Sequence, residues 1–180
     1  MSGHNKWSKI KHKKAATDAQ KSKIFSKHSA LITVESRKCG GVISSPGLVA
    51  AIERAKKDSM PKDNIDRAVQ KGAGTTGVAF QEVLFEAFGP GGVAILITAI
   101  TDNNNRTNQE IKSIFTKSGL VLGTPGSASW AFVKSADGYV PANHLELSDT
   151  DGEALATLIE KLEDNDDVQD IFTSADSEAL

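Results

Sequence analysis

At 180 residues the chain can hold one large domain or two small ones, and its 39% hydrophobic and 24% charged residues are those of an ordinary globular protein. Charges interrupt every apolar run well short of membrane-spanning length, and a single cysteine, Cys39, excludes an intramolecular disulfide. The net charge of −2 hides a sharp division: residues 1–74 hold sixteen Lys or Arg against six Asp or Glu, a balance of +10, whereas residues 75–180 hold five against seventeen, a balance of −12. A split of this kind implies a basic module for a polyanion joined to an acidic body.

In chain order, residues 1–16 (MSGHNKWSKIKHKKAA) are rich in Lys and poor in apolar side chains, so they are expected to form a basic flexible arm. No apolar stretch follows the arm, which argues against a secretory signal, and its Lys without Arg does not suit a mitochondrial presequence. The expectation is a cytoplasmic protein.

Residues 17–74 are predicted to be a helical nucleic-acid-binding domain. A first helix starts near Thr17, places Ile24, Phe25, His28, Leu31 and Ile32 on one side, and ends at Gly40-Gly41. Ser45-Pro46 reads as N-cap and first residue of a second helix, with Leu48, Val49, Ile52 and Ala55 inward. A third opens near Pro61, buries Ile65, Ala68 and Val69, and is expected to stop at Gly72. GAGTTG at 72–77 has linker composition.

Residues 78–174 are predicted to form a second domain. The runs Phe80–Phe88 and Val93–Ile100 suit strands joined by a turn at Gly89-Pro90-Gly91-Gly92. Thr107 to Glu110 has the form of a capping box for a helix with Ile111, Ile114 and Phe115 inside and Gly119 as its stop. Ser127–Val133 alternates like a strand and can pair with Tyr139–Leu147. A second capping box, Thr150 to Glu153, starts a helix burying Leu155, Leu158, Ile159 and Leu162, and Asp167–Thr173 closes as a strand. From Val93 onward this is β-α-β-β-α-β, the ferredoxin-like (split βαβ) order, with Phe80–Phe88 as an added strand and 175–180 as a polar tail. The fold class expected is therefore α+β.

The candidate nucleic-acid contacts are Lys6, Lys9, Lys11, Lys13 and Lys14 of the arm, with Trp7 and His12 among them. Lys21, Lys23 and Lys27 continue the charge along the first helix, Arg54, Lys56 and Lys57 end the second, and Lys62, Arg67 and Lys71 lie on the third. Each cation that neutralises a phosphate releases a condensed counterion, which supplies affinity without sequence preference. The functional reading requires these cations to converge on one face. Trp7 can stack on an unpaired base or dock back on the helices as an anchor. Arg106, in Thr101–Thr107 (TDNNNRT), is a further phosphate-contact candidate in a segment whose Asp and Asn residues also suit a turn.

No metal site is expected: His4, His12, His28 and His144 lack ligand spacing with one another or with Cys39. Gly89–Gly92 precedes a strand rather than a helix, so it offers phosphate no helix N-terminus. No Ser-His-Asp or Cys-His arrangement and no carboxylate pair in a cleft can be assembled, so neither enzymatic activity, cofactor nor small-molecule substrate is expected. The arm also lacks an apolar face for inserting into a membrane.

Several segments resemble the YebC/PmpR family: GHNKWSKIKHKKAATDAQKSKIF at 3–25, MPKDNIDRAVQKGAG at 60–74, FGPGGVAILI at 88–97, TDNNNRT at 101–107 and GSASWAF at 126–132. The resemblance implies an N-terminal helical domain followed by ferredoxin-like α/β domains. It also implies a DNA-binding transcriptional regulator or, as in other members, a translational activator at the ribosome that assists synthesis through proline-rich stretches. Family members carry a third domain between two strands of the second. Here SASWAFVKSADGYVPANHLELS runs between those strands through a short turn near Asp137-Gly138, so the inserted domain is expected to be absent.

Overall fold

A computed structural model of the chain describes residues 18–74, 79–136 and 138–176. They form a helical unit within 16–81, to which Ile100–Asn103 also belongs, and a mixed α/β unit from Glu82 to Ala99 and from Asn104 onward. The expected arm at 1–16 and most of the polar tail lie outside the described residues.

The helical unit consists of α1 (Asp18–Lys38), α2 (Pro46–Lys57) and α3 (Lys62–Ala73). Its core is Ile32, Leu48, Ala51, Ala55, Met60, Ile65 and Ala68, with Phe25, Leu31, Ile52 and Val69 packed around it. Two expectations need correction. Val49 is 43% exposed and Ala51 takes the inward position, because the buried stripe of α2 runs 48-51-55. Gly72 does not stop α3; it lies buried inside it. A Cβ there would sit 2.4 Å from the Thr33 carbonyl oxygen and 2.5 Å from Ser36 Cβ, so this glycine lets α3 approach the backbone of α1. At the same crossing Ser36 Oγ donates to the Val69 carbonyl at 2.7 Å and Thr33 Oγ1 to the Ala68 carbonyl at 3.3 Å. His28 Nε2 lies 2.6 Å from Asp58 Oδ2, tying α1 to the residue that ends α2.

The mixed unit opens with β1 (Gln81–Phe88) and β2 (Ala94–Thr101), adjacent in a three-stranded sheet ordered β1-β2-β5. Their connection is too short for a parallel crossover. It turns through Pro90–Gly92, where Gly91 and Gly92 have φ of +66° and +81°, and Gly89 N–H donates to the Val93 carbonyl at 2.8 Å. Then come α4 (Asn104–Lys117), the hairpin of β3 (Phe132–Ser135) and β4 (Gly138–Pro141), α5 (Asp149–Glu163) and β5 (Val168–Thr173). β5 pairs antiparallel with β2, setting Ile95 opposite Thr173 and Ile97 opposite Ile171. The β-α-β-β-α-β order agrees with expectation, but the strands divide: β3 and β4 make a two-stranded sheet of their own.

β2 reads as an unbroken apolar run because both its faces are covered. Ile95, Ile97 and Ala99 join Phe85, Ile111, Phe115, Leu155, Leu158 and Leu162 under the helices. Ala94 and Leu96 instead meet Ala128 and Phe132, with Tyr139 and Phe172 edge-on at 5.4 Å.

Four local expectations fail in this unit. The Ser127–Val133 strand shifts to Phe132–Ser135, since Ser129–Ala131 is a 3-10 turn, and its expected partner Tyr139–Leu147 shortens to Gly138–Pro141. Thr107 is not an N-cap: α4 already begins at Asn104, and Thr107 Oγ1 donates to Asp167 Oδ2 at 2.6 Å. α5 is capped by Ser148, whose Oγ accepts from Asp151 N–H at 3.2 Å, two residues before the expected Thr150.

Candidate nucleic-acid interface

The helical unit positions its cations by the turn of each helix, about 100° per residue. Ser22, Phe25, Ser26 and Ser29 share one face of α1, and Asn64, Arg67, Ala68 and Lys71 share one face of α3. These two faces, with Met60, line an open groove of about 340 Å³. Buried Met60 and Ala68 and half-buried Phe25 are its apolar lining; the other residues bring hydroxyls, an amide and the two cations of α3. No carboxylate is among the described residues that line it.

Arg67 is held by its own helix, with Nε donating to the Asp63 carbonyl at 3.2 Å and its guanidinium bonded to Asn64 Oδ1. The Lys71 ammonium lies 5.3 Å from the centre of the Phe80 ring, a cation–π contact. Both side chains are therefore oriented rather than free to sweep, which favours a defined binding geometry.

The structure brings only part of the expected set to this groove. Arg67 and Lys71 line it, and helical periodicity places Lys21 and Lys23 on its two flanks. Lys27 falls nearly opposite on α1, and Lys62 nearly opposite on α3. On α2, Arg54, Lys56 and Lys57 are all exposed, with Lys56 Nζ 2.9 Å from Glu53 Oε1. Lys6, Trp7, Lys9, Lys11, His12, Lys13 and Lys14 lie outside the described residues.

Arg106 belongs to the mixed unit, where its guanidinium donates to Asp167 Oδ2 at 2.9 Å, beside the Thr107 hydroxyl. Asn165 completes the cluster, accepting from Asp167 N–H at 3.0 Å and donating to Glu110 at 2.7 Å. The TDNNNRT segment thus fastens the start of α4 to the α5–β5 loop. Thr101 also contributes, its hydroxyl accepting from Asn103 N–H.

Sequence reasoning missed two features. The serines facing the groove repeat at 22, 26 and 29, a helical spacing that periodicity could have revealed had polar as well as apolar residues been traced. Glu86 is the second. It is buried on β1, and its carboxylate accepts from the backbone N–H groups of Gly126, Ala128 and Ser129 at 2.7–2.8 Å. Burial alone would raise its pKa, but those amides, joined by the Ser129 hydroxyl, outweigh burial and hold it below the usual value. The turn it secures presents Trp130, 73% exposed, with its indole N–H donating to the Ser127 carbonyl. An acid flanked by apolar residues in QEVLFEAF was the available signal.

Among the described residues no cluster of three or more His, Cys, Asp or Glu could hold a metal ion, and no helix is long and apolar enough to cross a membrane.

Comparison with known proteins supplies a context for this groove. The family model for the TACO1/YebC protein N-terminal domain matches residues 5–75, and that for the TACO1/YebC second and third domain matches residues 80–137. A probable transcriptional regulatory protein of Dictyoglomus turgidum is 44% identical over 182 positions, covering 98% of this chain and 72% of the relative. One of the same name from Fervidobacterium nodosum is 36% identical over 237 positions, covering 98% of this chain and 94% of the relative. That alignment is longer than the present chain, so the relative carries residues inside the aligned stretch that have no counterpart here. The crystal structure of a conserved hypothetical protein, Aq1575 from Aquifex aeolicus, superimposes with a TM-score of 0.85 at 31% identity, covering 95% of this chain and 96% of that one.

Proposed function

Because the chain belongs to the TACO1/YebC family, we propose that it is a cytoplasmic, nucleic-acid-binding regulator of gene expression that catalyses no reaction. The observation that carries this reading is the division of charge, +10 in residues 1–74 against −12 in the remainder. A phosphate backbone is attracted by the first part and repelled by the second, so the chain engages nucleic acid through its N-terminal arm and helices. The acidic mixed unit, with the ferredoxin-like order of elements, orients that module or meets protein. The relatives' name, probable transcriptional regulatory protein, supports DNA as the target and transcription as the step.

The test is a salt titration of the full chain against duplex DNA and against structured RNA. Affinity should fall linearly on logarithmic axes between about 50 and 200 mM salt, as counterion release requires. No binding at the lowest salt would remove the proposal.

One observation favours a second reading, an RNA- or ribosome-associated translational activator that helps synthesis through proline-rich stretches. The lined feature of the helical unit is a concave groove, a shape suited to irregular single strands rather than to the grooves of a duplex. Co-migration with ribosomes on a sucrose gradient would support that alternative, and its absence at low salt would count against it. The arm enters the same test: Trp7→Ala should weaken binding by about 1–3 kcal/mol if the indole stacks on a base. If it anchors the arm, the substitution should instead lower the melting temperature.

A further inference from the structure

We infer that the groove between α1 and α3 is a seat for one unpaired nucleotide, its base against Phe25 and Met60 and its phosphate at Arg67 and Lys71. This rests on the nucleic-acid reading above and makes it more specific: the preferred ligand is a single strand.

The groove's composition carries the argument. A site that only neutralised a duplex backbone would need cations but no apolar or aromatic lining, because duplex phosphates lie outside and the bases are stacked within. Here the two cations share a concavity with Met60, Ala68 and an aromatic ring, that of Phe25. A duplex would leave that apolar lining unfilled. An extruded or single-stranded base offers a flat apolar surface to Phe25 while its phosphate stays with the cations.

The size agrees, since about 340 Å³ lies at the small end of ligand pockets and suits a single nucleotide. The hydroxyls of Ser22, Ser26 and Ser29 each donate and accept, and the Asn64 amide sits beside Arg67, so sugar and base edges find partners whatever the base. Weak sequence preference follows. The absence of a carboxylate from the described lining residues keeps the local field favourable to an anion.

The experiment measures the full chain by fluorescence anisotropy against labelled single strands of about ten nucleotides, DNA and RNA, a length within the reach of one small binding module. It also uses the duplex formed from the same DNA strand, and nucleoside monophosphates as competitors. Single strands should bind about tenfold more tightly than the duplex at equal salt, with monophosphates competing only weakly. Ser26→Phe fills the groove from an exposed helix position where the fold does not depend on the serine. It should abolish the single-strand preference, bringing single-strand affinity down to that of the duplex. Phe25→Ala should do the same, Phe25→Trp should retain the preference, and thermal melts would report whether each variant is folded.

Equal binding of single strand and duplex, or a preference that survives Ser26→Phe in a folded protein, would overturn the inference and leave the broader proposal standing. Monophosphates that compete as well as oligomers would overturn it in favour of a free-nucleotide site. If neither single strand nor duplex binds at low salt, the proposed function itself falls.

Discussion

At the scale of single residues, Glu86 concentrates more chemistry than any lysine in the chain. A carboxylate buried without partners would be expelled or protonated, but three backbone N–H groups converge on this one. They come from residues 126–129, which have no other regular structure until the 3-10 turn, so one side chain organises the segment that leads into β3. Glu86→Gln keeps the shape but replaces an acceptor oxygen with an amide that can only donate toward backbone N–H groups. The expected loss is about 1.5–3 kcal/mol at neutral pH, measured by urea unfolding. The pH dependence has a definite sign. The folded-state pKa is lowered, so the carboxylate's contribution is fully present above the ordinary glutamate value, about 4.3, and disappears as pH falls through the lower folded value. The stability gap between wild type and Glu86→Gln should therefore narrow on acidification below about pH 4. A gap that stays constant from neutral to strongly acidic pH would show that the Glu86 pKa is the same in the folded and unfolded protein, against the lowered value expected here.

At the scale of elements, local chemistry and tertiary contact compete for the same residues. The capping-box pattern points to Thr150 for α5, yet it is Ser148 that accepts from Asp151 N–H, while its hydroxyl also lies 2.7 Å from Asp151 Oδ2. Ser148→Ala should cost about 1 kcal/mol in thermal or urea unfolding and Thr150→Ala close to nothing; the reverse order would return the cap to Thr150. Gly72 tests packing against propensity. In an isolated helix Gly→Ala stabilises by about 1 kcal/mol. Here the added methyl meets the Thr33 carbonyl and Ser36, so Gly72→Ala should be net destabilising, by roughly 1–3 kcal/mol.

These cases also show what was legible in the sequence. The three N-terminal helices, α4 and α5 could be placed from their apolar periods, as Leu155, Leu158, Ile159 and Leu162 show in α5, and β1, β2 and β5 from short runs rich in β-branched and aromatic residues. The role of Thr107, the glycine at the helix crossing and the 3-10 turn could not, because they depend on partners distant in the chain: Thr107 on Asp167, Gly72 on Thr33, Ser129 on Glu86. The groove was half visible. Charge marks Arg67 and Lys71 in the sequence, whereas the apolar period puts Phe25 in the core and nothing local joins it to the facing serines, since only the pairing of α1 with α3 gives them a common surface.

At the scale of the whole molecule, the question is whether the field of the basic N-terminal part acts as a diffuse cloud or through a localised site. The two alternatives make different demands on equal charges. If only net charge matters, removing any two helical cations should weaken polyanion binding alike and reduce the logarithmic salt slope by nearly two. Arg67 and Lys71 line the groove, whereas Lys57 is exposed on α2 and Lys62 lies on the opposite side of α3. Arg67→Gln with Lys71→Gln should therefore cost much more affinity than Lys57→Gln with Lys62→Gln, although both pairs change the net charge by the same amount. Because Lys71 also rests over Phe80, the first pair needs a melting curve beside it, with an expected loss of about 0.5–1 kcal/mol from that contact. Equal losses of affinity from the two pairs, in proteins that melt alike, would mean that the polyanion senses only the overall charge of the N-terminal part and that the groove is not the point of contact. An unequal loss, largest for single strands, would place the contact between α1 and α3.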